Sequence, residues 1–169
     1  MFDSALIDRA AALLTLCRNR GLKIAAAESC TGGLLAGLLT EIPGSSAVVE
    51  RGFVVYSNLA KRELLGVPEA TLVRWGAVSA ETALAMAQGA LAHSAADLVV
   101  AITGVAGPDG GTAEKPVGLV HFAAARRGGA SNGLERRFGS LSRGAIRLAA
   151  VATALEMLEA VAGQAGARP

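Results

Sequence analysis

The chain has 169 residues, 52% of them hydrophobic and only 4% aromatic, enough apolar material for one well-buried core and one domain. Lys and Arg number 16 against 14 Asp and Glu, and the formal charge of +2 is too slight to argue for a nucleic-acid surface. The two cysteines, Cys17 and Cys30, form no C-x-x-C pair and have no neighbouring histidine, which argues against a disulfide framework or a zinc site and suits a reducing cytosol. No apolar run reaches membrane-spanning length and residues 1–9 carry no long apolar stretch, so a cytoplasmic protein without a membrane partner is expected.

Residues 3–20 place Leu6, Ile7, Ala10, Leu13, Leu14 and Cys17 at the spacing of one helix face, capped by Asp3 or Ser4 and stopped at Gly21. On that face Cys17 reads as a small core hydrophobe. A strand is predicted over residues 22–27, a helix over 31–40 and a turn at Pro43 and Gly44. Residues 47–56, with Val48, Val49, Phe53, Val54 and Val55, are β-branched and aromatic enough for a second strand, ending at Tyr56. Ser57 or Asn58 then caps a short helix that Gly66 and Pro68 terminate, and Ser79 caps another over 80–93. Residues 97–103 form the continuous apolar run of a strand buried on both faces, leading into Gly104, Gly107, Gly110 and Gly111. Residues 117–125 read as a fourth strand, 126–133 as a hairpin-like loop, 134–138 as its antiparallel neighbour, 142–161 as a long helix and 163–169 as a frayed tail. Residues 1–162 are thus expected to make a single α/β/α domain, with no repeat or linker.

The segment A-A-A-E-S-C-T-G-G, residues 25–33, is a strand, a tight turn and a helix start. Its glycines admit another molecule to the backbone and its helix amides face whatever binds, so a nucleophile and an anion site are both plausible there. Ser and Thr also cap helices at such junctions, and the turn alone does not decide. Three polar loops, 28–33, 56–61 and 103–115, follow predicted strands, and in an open α/β sheet such loops converge on a ligand crevice. They offer Ser29, Cys30, Thr31, Tyr56, Lys61 and Thr103 but no histidine, because His93 falls in a helix and His121 in a strand. That argues against a Ser-His-Asp triad.

A hydroxyl nucleophile without histidine needs another base, and a lysine serves when burial or a neighbouring cation lowers its pKa from about 10.4. Of Lys23, Lys61 and Lys115, only Lys61 stands one helical turn after a strand-end tyrosine and a serine. Ser29 and Lys61 would form an acyl-transfer dyad, with Tyr56 relaying or orienting the proton and loop amides holding the oxyanion. Cys30, at a helix start that lowers thiol pKa, is the competing nucleophile, and Thr31 a third. Glu28 is either a surface carboxylate or a partner that orients the lysine. The loop T-G-V-A-G-P-D-G-G lacks the Walker ending and is not G-x-G-x-x-G, yet its backbone is open to a ligand. Arg143 and Arg147 oppose the dipole of the last helix and need a phosphate or a neighbouring carboxylate to compensate.

Taken together, A-E-S-C-T-G-G, G-S-S-A-V-V-E-R-G-F-V-V-Y-S-N-L-A-K, G-A-V-S and T-G-V-A-G-P-D-G-G-T-A-E-K-P-V-G resemble the CinA C-terminal domain family, the nicotinamide-nucleotide amidases, in order from about Leu6 to Met157. The resemblance implies a three-layer α/β/α sandwich with a mixed, mostly parallel five-stranded sheet. It implies hydrolysis of the carboxamide of nicotinamide mononucleotide to nicotinic acid mononucleotide and ammonia, with no metal or other cofactor. It also implies a stand-alone version of a domain that a molybdopterin-binding-like pyrophosphatase module often precedes. Position by position, the family's catalytic residues match Ser29, Tyr56 and Lys61, and its second loop matches Thr103, Gly104 and Gly107. Thr31, Gly32, Gly33 and Arg143 join these as expected substrate contacts. Where family members read G-D-R before the last helix, this chain reads L-S-R at Leu141 to Arg143, without the acid beside the arginine. The expected partner is a small nucleotide, with no direct nucleic acid, and a homodimer is the expected assembly. The alternatives are a non-catalytic partner in DNA uptake or recombination that keeps the pocket, and an amidase for a related amide.

Overall fold

Side-chain alternation along the inner strands gives the molecule two cores of unlike grain. The computed structural model describes residues 2–164, with strands β1 (Ile24–Glu28), β2 (Val49–Val54), β3 (Leu98–Gly104), β4 (Leu119–Arg126) and β5 (Ser131–Arg137). Its helices are α1 (Ser4–Asn19), α2 (Leu34–Glu41), α3 (Asn58–Leu65), α4 (Glu69–Trp75), α5 (Ala80–Ala92) and α6 (Arg143–Gln164), with a 3-10 turn at Ser45–Ala47. Ile24, Leu98, Val100, Ile102, Val120 and Phe122 face α1, α2 and α6. The intervening Ala25, Ala27, Val99, Ala101, Ala123 and Ala125 face the layer of α3, α4 and α5. Those small residues let α5 come close, and at Gly89 any side chain would collide with the Leu65 carbonyl.

The five strands lie in the order β2-β1-β3-β4-β5. β2, β1 and β3 are mutually parallel, β4 is antiparallel to β3, and β5 is antiparallel to β4, so β4 alone opposes the common direction. This is the mixed, mostly parallel five-stranded sheet in an α/β/α sandwich that the resemblance implied. Its consequence for function is that β1, β2 and β3 end on one edge, where the loops after them emerge side by side.

The elements differ from expectation at several places, each with a physical reason. The helix expected from residue 31 begins at Leu34, because Gly32 (φ +59°) and Gly33 (φ +92°) are left-handed and hold the preceding residues as a turn. Pro68, read as a terminator, is also the N-cap of α4, an additional helix that its own short apolar pattern did not announce. β5 begins at Ser131, earlier than the expected 134, so the loop is shorter than 126–133. Its exposed first residues pair with β4 at Ala125 and Ala124, a tertiary contact that composition cannot reveal. α6 continues through Gln164, so the expected tail loses residues 163 and 164 to the helix, and residues 165–169 lie outside the described residues. Among the described residues no helix is long and apolar enough to cross a membrane.

Candidate active site

Two anchored loops bring the serine and the lysine together. The Ser29 amide donates to the Ile102 carbonyl of β3 at 2.9 Å, and the Val55 amide to the Glu28 carbonyl at the end of β1 at 2.8 Å. Ser57 caps α3 by accepting from the Ala60 amide at 3.0 Å, which sets the first helical turn and aims Lys61 inward, where it is 0% exposed. Lys61 Nζ lies 3.0 Å from Ser29 Oγ, and donates to the carbonyls of Val55 at 2.8 Å and Tyr56 at 3.3 Å. Burial pushes the Lys61 pKa down from 10.5 to about 8. In the neutral amine the two carbonyls take both N–H groups, and the lone pair is left to face the Ser29 hydroxyl.

No carboxylate pairs with that amine among the described residues. Glu28, 1% exposed, is neither a surface carboxylate nor a lysine partner. It turns into the start of α2 and accepts from the amides of Gly33 (3.1 Å), Leu35 (3.1 Å) and Ala36 (2.8 Å), an internal anion on the positive end of that helix. The Gly32 amide donates to the Ser29 carbonyl at 3.1 Å, so the amides of both glycines have partners within the chain.

Ser29 and Lys61 open into a cavity of about 190 Å³, bounded also by Cys30, Tyr56, Thr103, Gly104 and Arg143, with Ala77, Val78 and Ala106 as its apolar wall. Thr103 Oγ1 donates to the Ala77 carbonyl and Thr82 Oγ1 to the Gly76 carbonyl, both at 2.7 Å, which pins that wall. At the rim, Tyr56 is 63% exposed. Arg143 donates to the Gly107 carbonyl at 2.6 Å and to the Tyr56 hydroxyl at 3.3 Å, so main-chain and phenol oxygens position it where the family's acid is missing. Gly107, at φ +70°, packs where a Cβ would stand 2.6 Å from Val117. A wider groove of about 550 Å³ between Trp75 and His93 holds neither a serine nor a lysine, and chemistry favours the smaller cavity.

The structure separates the three nucleophile candidates. Cys30 lines the cavity, but burial pushes its thiol up to about 11, overriding any lowering by the helix start, so it stays protonated at neutral pH. Thr31 is 0% exposed, and its hydroxyl makes no hydrogen bond. Only Ser29 meets the lysine. No histidine borders the cavity: His93 Nδ1 contacts the Gly89 carbonyl at 3.0 Å, and His121 lies in β4, 3.8 Å from Glu135, with its pKa lowered by burial. Among the described residues no group of three or more His, Cys, Asp or Glu is placed to hold a metal ion. Among the described residues, neither arginine of α6 meets a carboxylate. Arg147 donates to the Thr31 carbonyl at 2.8 Å, a contact between residues far apart in the chain that no local pattern announces. Ala77 and Val78 were equally silent, having no chemistry of their own; only the G-A-V-S match pointed to them.

Residues 7–162 match the family model of the CinA C-terminal domain. The chain belongs to this family. It is 48% identical over 159 residues to the nicotinamide-nucleotide amidohydrolase PncC of Escherichia coli K12, covering 94% of this chain and 95% of that protein. It is 51% identical over 147 residues to a CinA-like protein of Geobacter sulfurreducens, covering 87% of this chain and 35% of that one. The crystal structure of the competence/damage inducible protein CihA from Agrobacterium tumefaciens superposes with a TM-score of 0.94 at 56% identity, over 95% of this chain and 98% of that one. The CinA-family chain thus spans 26% to 35% of the length of several curated relatives, and nearly all of others.

Proposed function

We propose that this CinA-family protein is a nicotinamide-nucleotide amidase, hydrolysing the carboxamide of nicotinamide mononucleotide to nicotinic acid mononucleotide and ammonia in the recycling of pyridine nucleotides. The observation that carries this reading is the buried amine 3.0 Å from a serine hydroxyl, with both of its N–H groups spent on carbonyls. The name of a relative matched over nearly its whole length supplies the substrate. Ser29 Oγ attacks the carboxamide carbon while its proton passes to the Lys61 lone pair. The oxyanion falls to the N–H of Cys30, which follows the nucleophile, borders the cavity and donates to no other described residue. Lys61 returns the proton to the departing nitrogen, the C–N bond breaks and ammonia leaves. Water then adds to the acyl ester with Lys61 again as base, freeing the acid and the Ser29 hydroxyl.

Ligand pockets usually measure about 300–1,000 Å³. A cavity of about 190 Å³ therefore takes the carboxamide and ring, and leaves the ribose and phosphate along the rim. With the amides of α2 engaged by Glu28, the phosphate goes to Arg143, and the pyridine ring rests against Tyr56. Thr103, Gly104 and Gly107 shape the far wall, while Thr31, Gly32 and Gly33 hold the nucleophile turn. Cytoplasmic location, a homodimeric assembly and the lack of a direct nucleic-acid partner belong to the same reading.

An assay of ammonia release from nicotinamide mononucleotide by the purified protein tests it, with Ser29→Ala expected to be inactive. Calorimetric binding without turnover would favour the non-catalytic partner. A panel in which a non-nucleotide carboxamide turns over with the higher kcat/KM would favour a different amidase.

A further inference from the structure

Behind the nucleophile turn sits a cation that the proposed reaction does not use. Arg147 lies one turn beyond Arg143 on α6 and does not border the cavity, yet its guanidinium holds the Thr31 carbonyl at 2.8 Å. Gly32 brings its backbone against the same group, since a Cβ there would stand 3.3 Å from Arg147 Nη2. No carboxylate pairs with Arg147 among the described residues. Among the described residues, Arg147 Nε and Thr31 Oγ1 are also the buried side-chain polar atoms that lack a partner.

Buried polar groups are almost always satisfied, and orphans that persist mark places where another demand outweighs stability. Here both orphans fall in one residue pair, directly behind Ser29. A half-buried arginine spent on a main-chain carbonyl, without an ion pair, contributes little to the fold for the charge it desolvates. What it does contribute is position. The Thr31 carbonyl belongs to the same turn as the Ser29 hydroxyl and the Cys30 amide, so a planar fork on that carbonyl sets the angle of both.

We propose that Arg147 is a positioning residue for the amidase reaction, fixing through Thr31 the turn that carries the nucleophile and the oxyanion donor. This rests on the amidase reading, and it places the effect of Arg147 on kcat rather than KM, because the side chain meets the turn and not the substrate.

The test compares wild type, Arg147→Gln and Arg147→Lys in three measurements: kcat and KM for ammonia release, thermal unfolding, and the rate at which a fluorophosphonate labels Ser29, read by intact mass. In the labelling step Ser29 Oγ displaces fluoride and Lys61 takes up the proton, so the rate reports the turn whatever the natural acyl group. Arg147→Gln should lower kcat by about 30- to 100-fold, the scale of an ångström-sized misplacement, with KM within about threefold and labelling slowed in parallel. Arg147→Lys, which keeps a donor but loses the fork, should recover part of both rates. A raised KM with kcat intact would make Arg147 a substrate contact and overturn the proposal, as would unchanged labelling in both variants. If wild type releases no ammonia, the amidase reading fails by itself and the labelling rates still decide Arg147. If Arg147→Gln does not fold, Arg147→Lys carries the comparison.

Discussion

The floor of the cavity and its rim are built on opposite principles. On the floor, Ser29 is 8% exposed and Lys61 fully buried, and the amine meets only uncharged oxygens. On the rim, an exposed tyrosine and a guanidinium contact each other at 3.3 Å in open solvent. On the proposed amidase reading, the difference follows from what each must do. A carboxylate beside Lys61 would hold it protonated and useless as a base, so the acid nearest in sequence to the nucleophile, Glu28, is turned away into α2. An anionic substrate, by contrast, needs a charge that it can reach from solvent and that stands clear of the amine.

The largest effect should come from breaking the floor. Ser29→Ala and Lys61→Met are each expected to lower kcat for ammonia release by about 10³-fold or more, with the far-UV circular dichroism unchanged. Full activity in Ser29→Ala would move the nucleophile to Cys30 or Thr31. Next comes the support beneath the floor. Glu28→Ala removes a buried anion from three amides and should destabilise the fold by about 3 kcal/mol in urea titration. Asp3→Ala, which removes the solvent-exposed cap of α1, should cost only about 1 kcal/mol.

These two caps also show how far the sequence could be read. Asp3, Ser57 and Ser79 were legible because each side chain accepts an amide three residues on. The glycine and proline punctuation placed most of the remaining boundaries. Glu28 was not legible, since it caps a helix from the end of the strand before it, across a turn whose shape depends on two left-handed glycines. Likewise Ser29 and Lys61 could be proposed as a pair from residue types and strand ends, but the carbonyls of Val55 and Tyr56 are backbone and carry no residue signature. The arginines of α6 stand out in the sequence for opposing a dipole. That their partners would be carbonyls of two different loops required the fold.

Titration of the floor should give the next effect. The Lys61 pKa is about 8 in the fold against 10.5 in the free side chain. Between those values the unfolded chain holds a proton that the folded chain lacks, so stability rises with pH. The gain attributable to Lys61 should be about 2 kcal/mol between pH 7.5 and 9.5, measured as the difference between wild type and Lys61→Met. Cys17 and Cys30, both raised to about 11 by burial, act in the opposite sense above pH 9; Cys17 cancels in that difference, whereas Cys30 interacts with Lys61 and cancels only when both proteins also carry Cys30→Ala. The same proton appears in catalysis: kcat/KM should climb with an acid limb near pH 8 and level off above it. A profile flat from pH 6.5 to 9.5 would remove Lys61 as the base.

The rim should yield the smallest changes, and they fall on binding. Arg143→Gln removes a charge from solvent-exposed ground and should raise KM by about tenfold, with kcat little changed. Tyr56→Phe is the sharper probe, because Tyr56 belongs to both regions: its carbonyl holds Lys61 from the floor, while its hydroxyl faces Arg143 on the rim. Phenylalanine keeps the carbonyl and the ring and loses one long hydrogen bond. If the phenol serves only the rim, KM should rise about threefold and kcat should hold, as expected for one long, solvent-exposed hydrogen bond. A drop of about 10²-fold in kcat would instead mean that the phenol swings inward once substrate fills the cavity, relaying the proton between Ser29 and Lys61. The division between floor and rim would then break down at Tyr56.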